Sequence, residues 1–445
     1  MSAKEVGRQG GGDCFPELVT EVPGPLSKEY AHRLHEVECA GITFVGEGFP
    51  VFWERALGAN VWDVDGNRFV DLTAAFGVAS CGHSHPELAM AASRQATQLM
   101  HGMGDVHPPL RKLELLEKLS QVTPGSLSFG ILGQNGADAV EAALKAAYLH
   151  TGRSHIVAFG SAYHGLSGMA LEVTDFPAFR DPFSPYMGDH VHVVKYPRTQ
   201  ADLDVLWEQL ESLVTRFPVG AILAEPIQGR GGVIVPPDGF LEGLRQRANG
   251  TDTVLILDEI YTGFSRTGRS FACEHDGVIP DLLCLGKGLT GGFPLSVCVG
   301  TPEVMASWPK SSGEAIHTST FLGNPIGCAV GIRSMELHEE LELAERSERL
   351  GREGIAFLKK HLDSVSWVRE VRGRGLMMGV ELFPPEGEGP SRGVAGMLSM
   401  LSKGYLILPS GPGSHVLSLS PPLTITDEQW DGALNAIVET LTELS

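Results

Sequence analysis

No run of apolar residues in this 445-residue chain is long enough to span a bilayer, so a helical membrane protein is not expected. The opening MSAKEVGRQGGGD lacks the apolar core of a secretory leader, and residues 1–24 read as a disordered tail. Cysteine is scarce and unpatterned: Cys14, Cys39, Cys81, Cys273, Cys284, Cys298 and Cys328 are odd in number and form no C-x-x-C pair. That argues against a disulfide framework and a zinc site, and no metal is expected. Cys284 and Cys298 lie inside apolar runs, which suits free thiols in a reducing, cytoplasmic compartment. Lys and Arg number 34 against 54 Asp and Glu, a net charge of −20. Nucleic acid and anionic membranes would be repelled, and the acidic excess is read simply as solubility. Repeats and long low-complexity linkers are also missing.

What remains is ordinary for a globular protein, 42% apolar and 20% charged, and long enough for two or three compact units. Pro25 to Glu47 reads as a helical arm. The stretch VFWERALGANVWDVDGNRFVDLT alternates apolar and polar residues around Asp65-Gly66, a hairpin signal. Beyond Gly82, helical patterns alternate with short apolar runs: HIVAF (155–159), VHVV (191–194), GAILA (220–224), TVLIL (253–257), DLLCLG (281–286) and LSVCVG (295–300). Such runs predict an α/β fold with a mainly parallel sheet covered by helices on both faces. The expected division is a large domain over 81–324 and a smaller α+β domain from 325–445 together with the hairpin region 25–80.

Ligands of parallel sheets sit beyond the carboxyl ends of the strands, and three of these runs end in Glu225, Asp258 and Lys287. Lys287, in LCLGKGLTGG, lies between an apolar strand and a glycine-rich turn. Desolvation there would favour the neutral amine that condenses with carbonyls; a strand-end lysine reaching solvent fits the segment equally well. Asp258 follows a buried strand and must pair with something: a protonated ring nitrogen of a ligand, the backbone of the next element as a cap, or an arginine such as Arg266. Ile260 would point the same way and pack beneath such a ring. In ILGQNGADAVEAALKAAYLH a turn runs into an alanine-rich helix, whose free N–H groups and dipole suit a phosphate, with Gly136 allowing close approach. Most helix starts bind only water, so this signal alone is weak. Tyr163 and His164 follow another strand, where an aromatic ring can stack on a ligand or simply lie half-buried. His83 and His85 in GHSHP have the look of a metal pair, but with no third ligand nearby they read as a turn with satisfied histidines. Phe76 and Trp53 are candidate pocket walls or core.

Taken in order and spacing, GANVWDVDGNRFVDL, GHSHPEL, GADAVEAALKAA, YHG, AEPIQGRGG, LDEIYTGFSRTG, LGKGLTGG and HTSTFLGNPIGCA resemble the class III aminotransferases that depend on pyridoxal 5′-phosphate (PLP), such as the ornithine, acetylornithine and 4-aminobutyrate enzymes. The resemblance runs from about Pro50 to Pro422. It implies PLP fold type I: a large PLP domain, a small domain built from both chain ends, and a homodimer. It implies Lys287 as the Schiff-base lysine and proton shuttle, Asp258 as partner of the pyridine nitrogen, and Tyr163 stacked on the ring. Asn135, Gly136 and Ala137 would face the phosphate, with Thr320 reaching it from the neighbouring subunit, and His164, Glu225 and Ile260 would complete the cofactor pocket. Tyr261 stands where the family often has glutamine; its hydroxyl would approach the PLP phenolic oxygen. Relatives using 2-oxoglutarate often carry a second glutamate in EPIQGE, paired with an arginine shortly before a late PP. Those positions are Arg230 and Ser418 here. Bidentate grip on a carboxylate favours arginine, which makes Arg230 the candidate substrate residue, alongside its plainer reading as a surface ion pair.

The expected reaction is transamination between a small-molecule amino donor and a carbonyl acceptor. Two rivals stand beside it: a racemase, epimerase or aminomutase on the same site, and a non-catalytic protein on the same fold.

Overall fold

The computed structural model describes residues 12–46, 48–385 and 390–444, and the chain divides into two compact units, Met1–His85 with Arg349–Ser445, and Pro86–Glu348.

In the first unit the expected hairpin is a three-stranded antiparallel ribbon of β1 (Trp53–Leu57), β2 (Asn60–Asp63) and β3 (Arg68–Asp71). Its turn is held by Asp63 Oδ1, which accepts the Asp65 and Asn67 N–H groups. Tyr405–Leu406 adds a fourth, parallel strand beside β3, so the two chain ends share one sheet. A second four-stranded sheet is made wholly from the C-terminal part. Two expectations change here. Of the tail predicted over 1–24, residues 1–11 lie outside the described residues, but the next stretch is bound to the ribbon. The N–H of Cys14 donates to Asn60 Oδ1 at 2.9 Å, that of Val19 to Asn67 Oδ1 at 2.8 Å, and Glu17 pairs with Arg68. Two buried asparagines supply the partners that composition alone does not reveal. The predicted arm is helical only over Pro25–Val37.

The second unit holds a seven-stranded sheet. In chain order its strands are β4 (Phe129–Gly133), β5 (His155–Phe159), β6 (Val191–Val194), β7 (Val219–Ala224), β8 (Val254–Asp258), β9 (Leu282–Leu285) and β10 (Ser296–Gly300). Their spatial order is β4-β10-β9-β8-β7-β5-β6. Only β10 runs against the others. Six of the seven strands coincide with the predicted apolar runs. β4 was not among them, because FGILG is half-exposed and interrupted by glycine. The central strands β7, β8 and β9 are buried along their whole length, which is why they read as continuous apolar runs. Truncating a residue such as Leu283 would cost about 2–5 kcal/mol.

The helix Gly136–Thr151 shows how sequence becomes packing. Asn135 and Asp138 form a reciprocal capping box, and an alanine-rich face lies buried against the sheet. The helix Pro325–Glu340, expected to open the smaller domain, lies in this unit, where it packs on the helices Pro86–Gln98 and Leu110–Val122. Its buried residues include Cys328, Val330, Met335 and Leu337, and the unit boundary falls after Glu348. No helix among the described residues is long and apolar enough to cross a membrane.

Candidate active site

The second unit gathers nearly all of the predicted chemical residues at one edge of its sheet. Asn135, Gly136 and Ala137 follow β4; Tyr163 and His164 follow β5; Glu225 and Arg230 follow β7. Asp258 ends β8, with Ile260 and Tyr261 behind it, and Lys287 follows β9. The reversed β10 starts at this same edge: Ser296 pairs with Gly133, and its hydroxyl donates to the carbonyl of Asn135 at 2.6 Å.

Lys287 opens a single short turn with a left-handed backbone, φ 43°, a strained conformation for a side chain of this size. Desolvation pushes its amine down to about 8. The Asp258 and Glu225 carboxylates pull it back up, and Arg266 and Arg230 oppose them. Asp258 is buried but well partnered: Oδ2 lies 2.7 Å from Nδ1 of the buried His164, and Oδ1 accepts the N–H of Ile260 at 3.0 Å. Of the partners the sequence offered, the cap on the following backbone is present, and the side-chain partner is a histidine in place of Arg266. The N–H of His164 in turn donates to Thr174 Oγ1 at 2.9 Å. Glu225 accepts the Tyr163 N–H at 3.1 Å and the Gly229 N–H at 2.9 Å. Burial lifts its carboxyl to about 7; His164 and the two backbone donors lower it, while nearby Asp258 adds to the rise.

The other predicted residues are placed as follows. The Asn135 side chain is engaged in the helix cap, its Oδ1 accepting the Asp138 N–H at 3.2 Å. Ile260 lies so close to Gly136 that a Cβ there would meet Ile260 Cδ1 at 2.9 Å. Arg230 is exposed and has no ion pair among the described residues. It stacks instead, with Cζ 5.2 Å from the ring centre of Tyr163, 5.9 Å from Phe176 and 5.0 Å from Phe179. Thr320 is exposed, next to Ser319, whose hydroxyl accepts Gln134 Nε2 at 3.0 Å. Phe76 belongs to the first unit, where it is exposed on a left-handed turn at φ 64°. Ser418 lies on the strand Val416–Leu419 of that unit. His83 of the HxH pair is 2.7 Å from Asp71 Oδ2. Among the described residues no cluster of His, Cys, Asp and Glu is arranged to hold a metal.

Phe176, Phe179 and Thr174 were missed by the sequence reading. A signal existed, since TDFPAFRDPFSPY packs four aromatics into thirteen residues.

Chemically the set offers an amine poised near neutrality for a carbonyl carbon and a buried carboxylate for a cationic ring nitrogen. The first-turn N–H groups of a long helix add an anchor for a dianion, with Gly136 keeping the approach open. These are the demands of PLP, and the residues present fit it. The arrangement is that of a fold type I PLP enzyme. The family described as "Aminotransferase class-III" matches residues 44–441. The 4-aminobutyrate aminotransferase of Mycobacterium leprae is 35% identical over 430 residues, covering 93% of this chain and 95% of that protein. The alanine/serine racemase of Pyrococcus horikoshii is 33% identical over 453 residues, covering 96% and 94%. The crystal structure of Toxoplasma gondii ornithine aminotransferase superposes with a TM-score of 0.83 at 29% identity, covering 94% of this chain and 95% of that one; another structure of that enzyme has PLP at its active site. The chain belongs to the class III aminotransferases. It is a PLP-dependent enzyme that transfers amino groups between a donor and a carbonyl acceptor.

Proposed function

We propose that transamination here is run by Lys287 against Asp258, with Arg230 receiving the carboxylate of the substrate. The observation that carries this is the pairing of a desolvated lysine with a buried, histidine-backed aspartate at adjacent strand ends. Lys287 would hold PLP through its amine, as a Schiff base. Asp258 would face the ring nitrogen, Tyr163 and Ile260 the two ring faces, and Asn135, Gly136 and Ala137 the phosphate. Bound there, PLP supplies an electron sink adjoining the carbon whose proton is moved.

The chain's own work is proton management. Lys287 in its neutral form would take the proton from the substrate α-carbon as general base and, as general acid, return it at the far end of the C–N linkage to the bound group. The Asp258 carboxylate faces His164 Nδ1 and accepts the Ile260 N–H, and a carboxylate held there would favour a protonated ring nitrogen. Glu225 orders the strand-to-loop turn by accepting two N–H groups, which fixes Tyr163 at the ring side. Arg230, held by aromatic faces and without an ion pair among the described residues, is left available for a carboxylate from outside.

A homodimer is part of this reading. Met100, Met103, Val106, Leu110, Ile316 and Phe321 are all more than half exposed. Bonds from Thr318 Oγ1 to Asp105 at 2.8 Å and from Asn324 Nδ2 to the Met100 carbonyl draw their segments into one apolar surface. A patch of this kind calls for a partner, and in this reading Thr320, on the same segment, would reach a second copy's phosphate. The seven free cysteines, five of them buried, favour a reducing, cytoplasmic location.

A second reading, a racemase, has the Pyrococcus relative and the absent Glu/Arg pair behind it. In it Lys287 would return the proton to the carbon it left. One experiment separates the two. Amino acids labelled with heavy nitrogen and a keto acid are incubated with PLP-loaded protein in deuterated buffer. Label transferred to the acceptor supports the transaminase. Deuterium at the α-carbon of an otherwise unchanged, inverted substrate supports the racemase and removes transamination as the main activity.

A further inference from the structure

Tyr261 does something that its hydroxyl does not explain. The amine of Lys287 lies over the face of its ring, 3.9 Å from the centroid. The ring also abuts the turn after β7: a Cβ built on Gly229 would meet Tyr261 Cδ1 at 2.2 Å and Cε1 at 2.7 Å. Glycine at 229 is therefore what leaves room for the ring, and the Gly229 N–H donates to Glu225 Oε2 at 2.9 Å.

We propose that the ring face of Tyr261 is the seat of the free Lys287 amine, making Tyr261 a positioning residue that holds the lysine whenever its amine is not joined to the cofactor. This rests on the reading of Lys287 given above. A lysine that collects a proton in a desolvated site needs a place for the cation. Its charged neighbours are Asp258, Glu225, Arg266 and Arg230. Asp258 is committed to His164 and Ile260, Glu225 to two backbone N–H groups, and the arginines repel. The negative face of an aromatic ring attracts an ammonium without adding a formal charge, and without a carboxylate's tendency to trap the proton. A glutamine at this position cannot do this, because it has no π-face.

The test is the titration midpoint of the Lys287 amine in the full chain freed of PLP. It is read from the pH dependence of reductive methylation by formaldehyde, with mass spectrometry of the peptide carrying Lys287. Tyr261→Phe, which keeps the face, should leave the midpoint where it is. Tyr261→Leu should lower it by about half to one pH unit, since the ammonium loses its partner. In PLP-loaded protein the same Leu variant should lower kcat several-fold with KM little changed, and Tyr261→Phe should restore it. If Leu spoils folding, Tyr261→Gln, which has no ring face, serves instead and should lower the midpoint in the same way. An unchanged midpoint in folded Tyr261→Leu, or one that moves equally in Tyr261→Phe, overturns the proposal. Borohydride reduction of the loaded wild-type protein checks the underlying reading separately: PLP fixed to a lysine other than Lys287 would sink that reading, whatever the midpoints do.

Discussion

At the floor of the site Asp258, Glu225 and His164 are almost sealed from solvent, and each makes at least two hydrogen bonds. At the mouth Arg230 is exposed, holds no ion pair among the described residues, and rests on the rings of Tyr163, Phe176 and Phe179. The floor residues sit at or just beyond the ends of strands whose backbones are locked into ladders, so a substitution there disturbs a network that cannot relax. The mouth residues sit on connections, where a side chain can change with little cost to the sheet. The contrast teaches where each property of the enzyme resides. On the proposed reading, reaction chemistry is tied to the sheet edge, and substrate choice to the loops above it.

The sharpest way to break that division is Lys287→Ala. Turnover should fall by at least about 10⁴-fold, because the covalent anchor and the proton carrier are lost together, while the melting temperature stays near wild type. Steady-state rates and calorimetry on one preparation check it; normal turnover would falsify the assignment of the floor. Asp258→Asn should slow the chemical step by about 10²–10³-fold, measured in single-turnover absorbance experiments. A near-normal rate would mean that the buried carboxylate merely supports His164. Arg230→Ala sharpens the comparison from the other side. KM for carboxylate-bearing substrates should rise about 10–100-fold, the worth of a charge-assisted hydrogen-bonded pair, while simple amines react as before. Equal effects on both substrate types would move Arg230 out of the substrate pocket.

The smallest effect concerns pH. The reactive form of Lys287 is the neutral amine, and its folded-state pKa is depressed to about 8. The rate of PLP attachment to cofactor-free protein should therefore climb about tenfold per pH unit on the acid side and level off above about pH 8. The sign for stability follows from the same shift. The unfolded lysine binds its proton up to a higher pH than the folded one, so this group's destabilising contribution fades as pH rises from about 8 toward the ordinary lysine range. A flat attachment rate across that window would show that desolvation does not govern the amine.

Much of the site was legible because strand ends announce themselves. Wholly apolar runs capped by Glu225, Asp258 and Lys287 place three functional groups at one sheet edge before any coordinate is known. The glycine-rich turn before an alanine helix places Gly136 at a capped helix start by the same local logic. What was illegible depends on residues far apart in sequence. His164 backs Asp258 from 94 residues away. Gly229 makes room for Tyr261 across 32 positions, and nothing in either segment hints at the other. The boundary of the smaller unit was misplaced for a related reason: the helix Pro325–Glu340 reads as a new start, yet its buried face finds its partners two hundred residues upstream.

The chain's own order thus determined the fold class and set Glu225, Asp258 and Lys287 at strand ends, since burial period and strand-end placement are local properties that a linear sequence carries in full. Tertiary structure alone decided which group Asp258 meets, where the Lys287 amine rests, and that Arg230 stacks on aromatic rings without an ion-pair partner among the described residues. Those are matters of a few ångströms between distant segments, and no pattern along the chain encodes them.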